Sequence, residues 1–249
     1  MRLPLSVVII TRDAATQLDA CLASIAFADE IVVVDCGSTD GTRELAAARG
    51  ARVVEQDWLG FGPQKQFAVA QARNDWVLCL DADERVSPRL KDSILTALAA
   101  PQTHVYMFAR CNRFMGRYLR HGEGYPDWIT RLFHRGYARW SDHPVHEYVI
   151  TTEAVAKLDG DLLHDSAETL ERYLEKQNRY TTLQAEALAV AGKRVSVARM
   201  VLSPLARFIK FYLLRLGFLD GVPGLVHIAI GCFNSFTKYA KAIAHRRDA

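Results

Sequence analysis

The chain of 249 residues has five cysteines, Cys21, Cys36, Cys79, Cys111 and Cys232, scattered and odd in number. No CxxC and no Cys/His pair at metal-binding spacing occurs. A disulfide framework and a thiolate metal centre are therefore not expected, and a reduced cytosolic chain is. Long hydrophobic runs are also missing. Leu5 to Ile10 is too short for the core of a signal peptide. No internal repeat or low-complexity segment is visible. An excess of one charge is lacking too: 31 Lys and Arg against 28 Asp and Glu give +3. The basic residues of the C-terminal third are interleaved with aliphatic ones and offer no stacking platform, so nucleic-acid binding is not expected.

What is present is apolar and periodic. Half of the chain is hydrophobic, enough for a sizeable core. Leu5–Ile10 (LSVVII), Glu30–Asp35 (EIVVVD), Arg52–Glu55 and Trp76–Leu80 (WVLCL) read as strands, three of them apolar almost throughout. Such runs suit parallel strands covered on both faces. Helices are expected between them: one carrying Leu18, Cys21, Leu22 and Ile25, one over Glu44–Arg49 and one over Gln64–Arg73. Ser87–Ala99 forms a fourth, with Ser as N-cap and Pro at N1. Four alternations of strand and helix predict an α/β fold, a doubly wound and mostly parallel sheet.

Carboxylates collect where the strands end. Asp35 closes the second strand and Asp81 the fourth, with Asp83 and Glu84 beside it. Ligands of open α/β sheets sit at that edge. Three carboxylates in four positions repel one another unless a cation relieves them. Hard oxygen ligands there suggest Mg²⁺ or Mn²⁺ bridging a phosphate. The alternative is that Asp35 starts a turn and that Asp81 and Asp83 cap the helix beginning at Ser87.

Taken in order, LSVVIITRDAATQLDACLASI, EIVVVDCGSTDGT, the GPQKQFAVAQA helix and WVLCLDADE resemble a family 2 glycosyltransferase of the GT-A fold. The closest likeness is to the subgroup that adds a sugar to the inner core of lipopolysaccharide, a UDP-glucose-dependent β-glucosyltransferase. The resemblance covers about the first hundred residues. It implies a UDP-sugar donor, a lipid-linked saccharide acceptor, inversion at the anomeric carbon and a divalent cation. By position, Thr11 resembles the base- and ribose-contacting residue and Asp35 the carboxylate facing the uracil ring. Lys65 lies near the basic nucleotide contact, where the family often has Arg. Asp81 resembles the first acid of the DxD, near ribose and metal, and Asp83 the direct metal ligand.

The family usually places an Asp, often in an ED pair, as the base that deprotonates the acceptor hydroxyl. That pair is absent here. Glu147 in VHE is the candidate, with Asp127 and Asp142 behind it. His164 stands where some GT-A enzymes add a late metal ligand. Around these, His104–Arg110 reads as a strand, and Trp128–His134 with Tyr137–Trp140 as a hairpin. Cys111–Pro126 reads as an irregular loop whose Arg113, Arg117 and Arg120 suit phosphates on the acceptor.

The catalytic domain is expected over 1–165. Residues 166–249 are expected as a C-terminal amphipathic helical extension: Glu168–Val190, Val195–Phe218, a GFLDG turn and Leu225–Ala244. Arg207, Lys210 and Arg215 interrupt one helix, and the apolar stretch of the other falls short of the roughly 20 residues of a span. Apolar faces edged by Lys and Arg suit a helix pair lying in the membrane interface. A peripheral position on the cytoplasmic face of the inner membrane, against the inner leaflet, is the expectation. Two other readings remain: a non-catalytic nucleotide-sugar-binding or membrane-docked scaffold, and a sugar-phosphate nucleotidyltransferase. The latter needs a glycine-rich loop after the first strand, where this chain has TRDAATQLD.

Overall fold

The computed structural model describes residues 4–143, 147–193 and 195–245. Its elements run β1 Leu5–Thr11, α1 Ala15–Ser24, β2 Glu30–Asp35, α2 Thr42–Ala48, β3 Arg52–Glu55, α3 Phe61–Gln71, β4 Trp76–Asp81, β5 Glu84–Val86 and α4 Pro88–Ala99. Next come β6 Val105–Phe114, β7 Arg117–Tyr118, β8 Asp127–His134, β9 Ala138–Trp140, β10 Val149–Thr151 and β11 Val155–His164. The helices α5 Leu170–Val190, α6 Val197–Phe208 and α7 Gly221–His245 follow. They divide into two compact units: Met1–Arg110 with Asp127–His164, and Cys111–Pro126 with Asp165–Ala249. Cys111–Pro126, expected inside the catalytic domain, is grouped with the C-terminal helices instead.

In the first unit the main sheet runs in the order β3-β2-β1-β4-β8-β6-β11-β5. Its first half is parallel, with Thr11 opposite Asp35 and Ile10 opposite Asp81. From β8 onward the pairs are antiparallel. The sheet is thus mixed, and the parallel pattern expected from the first hundred residues holds for that half. Successive strand residues face opposite ways, which explains the unbroken apolar runs. Val7, Ile9, Leu78 and Leu80 join α1 and α4 in one core; Val8, Val77 and Cys79 join α3 in the other. Each such side chain, 0–2% exposed, contributes about 1.5–3 kcal/mol by leaving water. Ser87 caps α4 as expected, its Oγ accepting from the Leu90 amide at 3.3 Å.

Two local expectations fail. α3 begins at Phe61, taking in Gly62 and Pro63, because Pro is tolerated in a first helical turn. β9 pairs with β10, and β8 lies between β4 and β6, so the expected hairpin does not form. Glu147 lies outside any strand.

In the second unit β6 and β7 form a two-stranded turn through Met115 and Gly116, so Cys111–Pro126 is more ordered than expected. α7 packs against both α5 and α6. Lys241 on α7 donates to Asn178 O at 3.0 Å and Thr181 Oγ1 at 2.9 Å on α5. Ser203 and Ser235 join α6 to α7 at 2.8 Å. Asp220, 1% exposed, accepts from the amides of Arg120 at 2.9 Å and His121 at 2.8 Å. Arg113 pairs with Asp165 at 2.6 Å, and Arg117 donates to Leu219 O at 2.9 Å. These two arginines, expected to face an acceptor phosphate, hold their own unit together. The expected helix Val195–Phe218 is broken: Ile209–Leu214 is π-helical and Gly217–Asp220 is a 3₁₀ turn. The axes on either side of the break differ by 73°. No single described helix is long and apolar enough to cross a membrane.

Candidate functional site

Topology brings the charged residues of the first unit to one edge of the sheet. The C-terminal ends of β1, β2 and β4 supply Thr11, Asp35 and Asp81. β8 runs antiparallel to β4, so Asp127 at its start and Arg131 ahead of Leu132 lie toward the same edge. The end of β11 brings His164 opposite Glu84.

A cleft of about 500 Å³ opens there, lined by Thr11, Cys36, Trp58, Phe61, Asp81, Asp83 and His164 among others. Thr11, Asp81, Asp83 and His164 are thus assembled on one surface. Trp58 and Phe61 stand edge to face, centroids 4.8 Å apart, and both rings are about half exposed. Exposed aromatic faces at a cleft suit a planar ligand ring.

Asp35 is behind the cleft wall. It is fully buried, and both its oxygens are engaged. Oδ1 accepts from the Gly37 amide at 3.1 Å and the Ser38 amide at 2.9 Å. Oδ2 accepts from Thr11 Oγ1 at 3.0 Å and from Ser38 Oγ. The carboxylate thereby ties the CGST turn, where Gly37 has φ +87°, to the end of β1. The expected contact of Asp35 with a uracil ring is not prepared in this arrangement; Thr11 and Cys36 are what the cleft meets.

The crowded carboxylates find most of their cations within the chain. Arg131, 5% exposed, donates from Nη2 to Asp81 at 2.7 Å and Glu84 at 3.3 Å. Lys65 Nζ lies 3.1 Å from Asp81 and 2.8 Å from Glu147. Both cations rest over the ring of Trp140, at 5.0 Å for Lys65 and 5.4 Å for Arg131. Arg110 reaches Asp127 at 2.7 Å and Glu84 at 3.8 Å. Burial works against ionisation of Asp81, but Arg131 and then Lys65 outweigh it and hold the carboxyl well below its usual range. Burial pushes Glu84 up; Arg131 opposes that and Asp81 reinforces it. The cations that relieve Asp81 and Glu84 are thus the chain's own.

Asp83 is different. Its Oδ2 lies 3.2 Å from His164 Nε2, and both side chains are about a quarter exposed at the cleft. Burial lowers the affinity of His164 for a proton, yet the hydrogen bond and charge of Asp83 raise it above the ordinary value. A carboxylate and an imidazole held together at an open cleft have the donor set of two metal ligands, with positions left for a ligand's own oxygens. The described residues hold no group of three His, Cys, Asp or Glu that could bind an ion alone.

Among the three candidate bases, Glu147 shares Lys65 with Asp81 and is 19% exposed. Asp127 is held by Arg110, and Asp142 is exposed. Arg131, Trp58 and Phe61 were not singled out from sequence, and Glu84 was read only as one of the crowded carboxylates. A lone Arg inside the apolar run WITRLFH was the available signal for the first. A buried cation in a strand needs a carboxylate partner.

Residues 6–154 match the family described as glycosyl transferase family 2. The chain is 31% identical over 253 residues to the lipopolysaccharide core biosynthesis glycosyltransferase LpsC of Rhizobium meliloti, covering 96% of this chain and 92% of that one. It is 30% identical over 253 residues to the glycosyltransferase RP128 of Rickettsia prowazekii, covering 95% and 86%. Among solved structures, S. aureus TarS 1–349 in complex with UDP-GlcNAc superposes with a TM-score of 0.50 at 15% identity, over 98% of this chain and 92% of that one. The mixed sheet with flanking helices is a GT-A-like fold, and the chain belongs to glycosyl transferase family 2.

Proposed function

We propose that this glycosyltransferase moves a sugar, glucose in the first instance, from a UDP-sugar to a lipopolysaccharide inner-core or other lipid-linked glycan, with inversion. The observation that carries the reading is the cleft at the strand ends, where Asp83 and His164 stand together, each about a quarter exposed, beside Thr11 and the Trp58–Phe61 pair. The named role of LpsC in core biosynthesis supports the acceptor class.

Asp83 and His164 would hold Mg²⁺ or Mn²⁺, whose chemistry when bound is to neutralise the leaving diphosphate. Thr11 binds on the nucleoside side, and Trp58 and Phe61 offer their faces to its ring. Arg131 and Lys65 keep Asp81 ionised and fixed at the cleft edge. Glu147 accepts the proton of the acceptor hydroxyl as its oxygen bonds to the anomeric carbon and the bond to the diphosphate breaks. Lys65, 2.8 Å away, orients that carboxylate. An acceptor carried on lipid places the enzyme peripherally, at the cytoplasmic face of the inner membrane.

Calorimetry with UDP, GDP, CMP and ADP, each with and without Mn²⁺, tests the donor side. Mn²⁺-dependent preference for UDP is expected; no nucleotide binding under any condition would end the reading. Glu147→Gln should bind donor as the parent does and transfer almost nothing. Near-normal transfer would move the base to Asp127 or Asp142. Proton NMR of the product reads the anomeric configuration.

A further inference from the structure

The second unit carries a surface that its own packing leaves uncovered. Just over half of the exposed large hydrophobic side chains among the described residues lie between Val197 and Phe236. They are ordered. Val197, Val201 and Leu205 on α6 and Ile209 just after it recur every fourth residue, all half or more exposed except Val201 at 49%. On α7, Val222, Leu225, Phe233 and Phe236 fall within about 80° of one another at 100° per residue. The opposite face of α7, with Gly224, Ile228, Ser235 and Tyr239, is the buried one. Between the helices the break itself is apolar and exposed: Leu213, Leu214, Leu216, Phe218, Leu219 and Val222 range from 44% to 75%.

Charge says what covers this surface. From Ala187 to His245 the sequence holds eight Lys and Arg and one acid, Asp220. That acid is 1% exposed and engaged by Arg120 and His121. Arg207 is taken up by Glu123 and Lys241 by α5, while Lys210 and Arg215 are exposed beside the break. A protein partner's apolar face needs no such one-sided fringe, whereas an anionic leaflet attracts it. No single described helix is both long and apolar enough to cross; Val197–Leu214 and Gly217–His245 reach that length and composition only together, and they are bent by 73° at the break. Amphipathic helices of this kind lie about 5–10 Å deep at the headgroup boundary.

We propose that the break between α6 and α7, with the exposed stripes on either side, seats this unit in the surface of an anionic bilayer without crossing it. This deepens the membrane position in the reading above. It depends on the second unit alone, so vesicle binding and UDP binding are measured separately on the full-length protein. The probes are phosphatidylcholine vesicles with and without about 30% phosphatidylglycerol, an anionic lipid that gives the surface a negative potential, read by co-sedimentation. Binding to the anionic vesicles, weakened by salt, is expected. Lys210→Gln with Arg215→Gln should weaken it about 25-fold, at about five-fold per charge. Leu214→Glu should weaken it more than about ten-fold, since it loses a buried Leu side chain; at 75% exposure its replacement leaves the fold and UDP affinity unchanged. Equal binding to neutral vesicles, or none to either, overturns the proposal. So does a dimer in light scattering that Leu214→Glu splits while vesicles are ignored, because the surface would then cover a second copy of the chain.

Discussion

Arg131→Met removes a cation from inside the first unit at nearly constant volume, and its effect can be worked out group by group. Arg131 is 5% exposed and serves Asp81 at 2.7 Å and Glu84 at 3.3 Å. Asp81 keeps Lys65. Glu84, fully buried, keeps the Asp81 amide at 2.9 Å but no cation nearer than Arg110 at 3.8 Å, so it is the group whose charge is left without adequate compensation. Breaking a buried pair by deleting one partner costs about 3–5 kcal/mol. The loss should depend on pH in a definite sense. Glu84 is already raised in the folded chain, and loss of Arg131 raises it further. A raised folded value gives stability that is full below the unfolded value, about 4.3, and is lost as pH rises through the folded value. The gap between variant and parent should therefore be widest near neutrality and narrow toward about pH 4.5, where Glu84 is protonated. Adding Glu84→Gln should recover part of it. Urea unfolding followed by circular dichroism at several pH values measures this. A loss under about 1 kcal/mol, or one equal at every pH, would refute the reasoning, since both follow only if Arg131 carries no buried charge pair.

Three further outcomes follow from the same geometry. Gly62→Ala would put a Cβ 2.0 Å from Ser141 O and 3.5 Å from the Cβ of Glu147. It should cost about 1–3 kcal/mol in thermal unfolding and lower kcat through Glu147 while leaving UDP affinity intact. Glu30, whose carboxylate accepts from Ser6 Oγ at 2.6 Å and the Arg73 amide at 2.7 Å, is held below its ordinary value by those bonds and by Arg52, against the effect of burial. A lowered value gives stability present above the unfolded pKa and lost as pH falls, so Glu30→Gln should cost about 1.5–3 kcal/mol at pH 7 and flatten the acid limb of the stability curve. Asp83→Ala should abolish the Mn²⁺ dependence of UDP binding in calorimetry; unchanged dependence would move the ion elsewhere.

Much of the first unit could be read directly from the chain, for a local reason. Glu30–Asp35 and Arg52–Glu55 match strand bounds because each is a short apolar run between turn residues. Ser87-Pro88 announced α4 through its cap. What escaped is non-local. β5 is three residues long and exists because β11, eighty residues later, pairs with it. The turn at Arg135-Gly136 is real, with the Tyr137 amide donating to His134 O at 2.9 Å, yet β9 leaves β8 to pair with β10. At the site, the acids were visible as DADE, but their own cations, Lys65 and Arg131, arrive from α3 and β8. Repulsion read along the sequence therefore called for cations without saying that the chain itself supplies two of them. Asp35 was legible as important, though its hydrogen bonds face the turn.

The anchoring of Arg120 and His121 by Asp220 also sets an order of events. The bonded residues are 100 and 99 positions apart. A ribosome adding about 5–20 residues per second delivers Asp220 about 5–20 s after Arg120. By then His164, the last residue of the first unit's final strand, has been made. That unit can gather all its strands while 111–126, inserted between two of them, still has water on its amides. The second unit closes last, around Arg120 and His121, which were added before half of the chain existed.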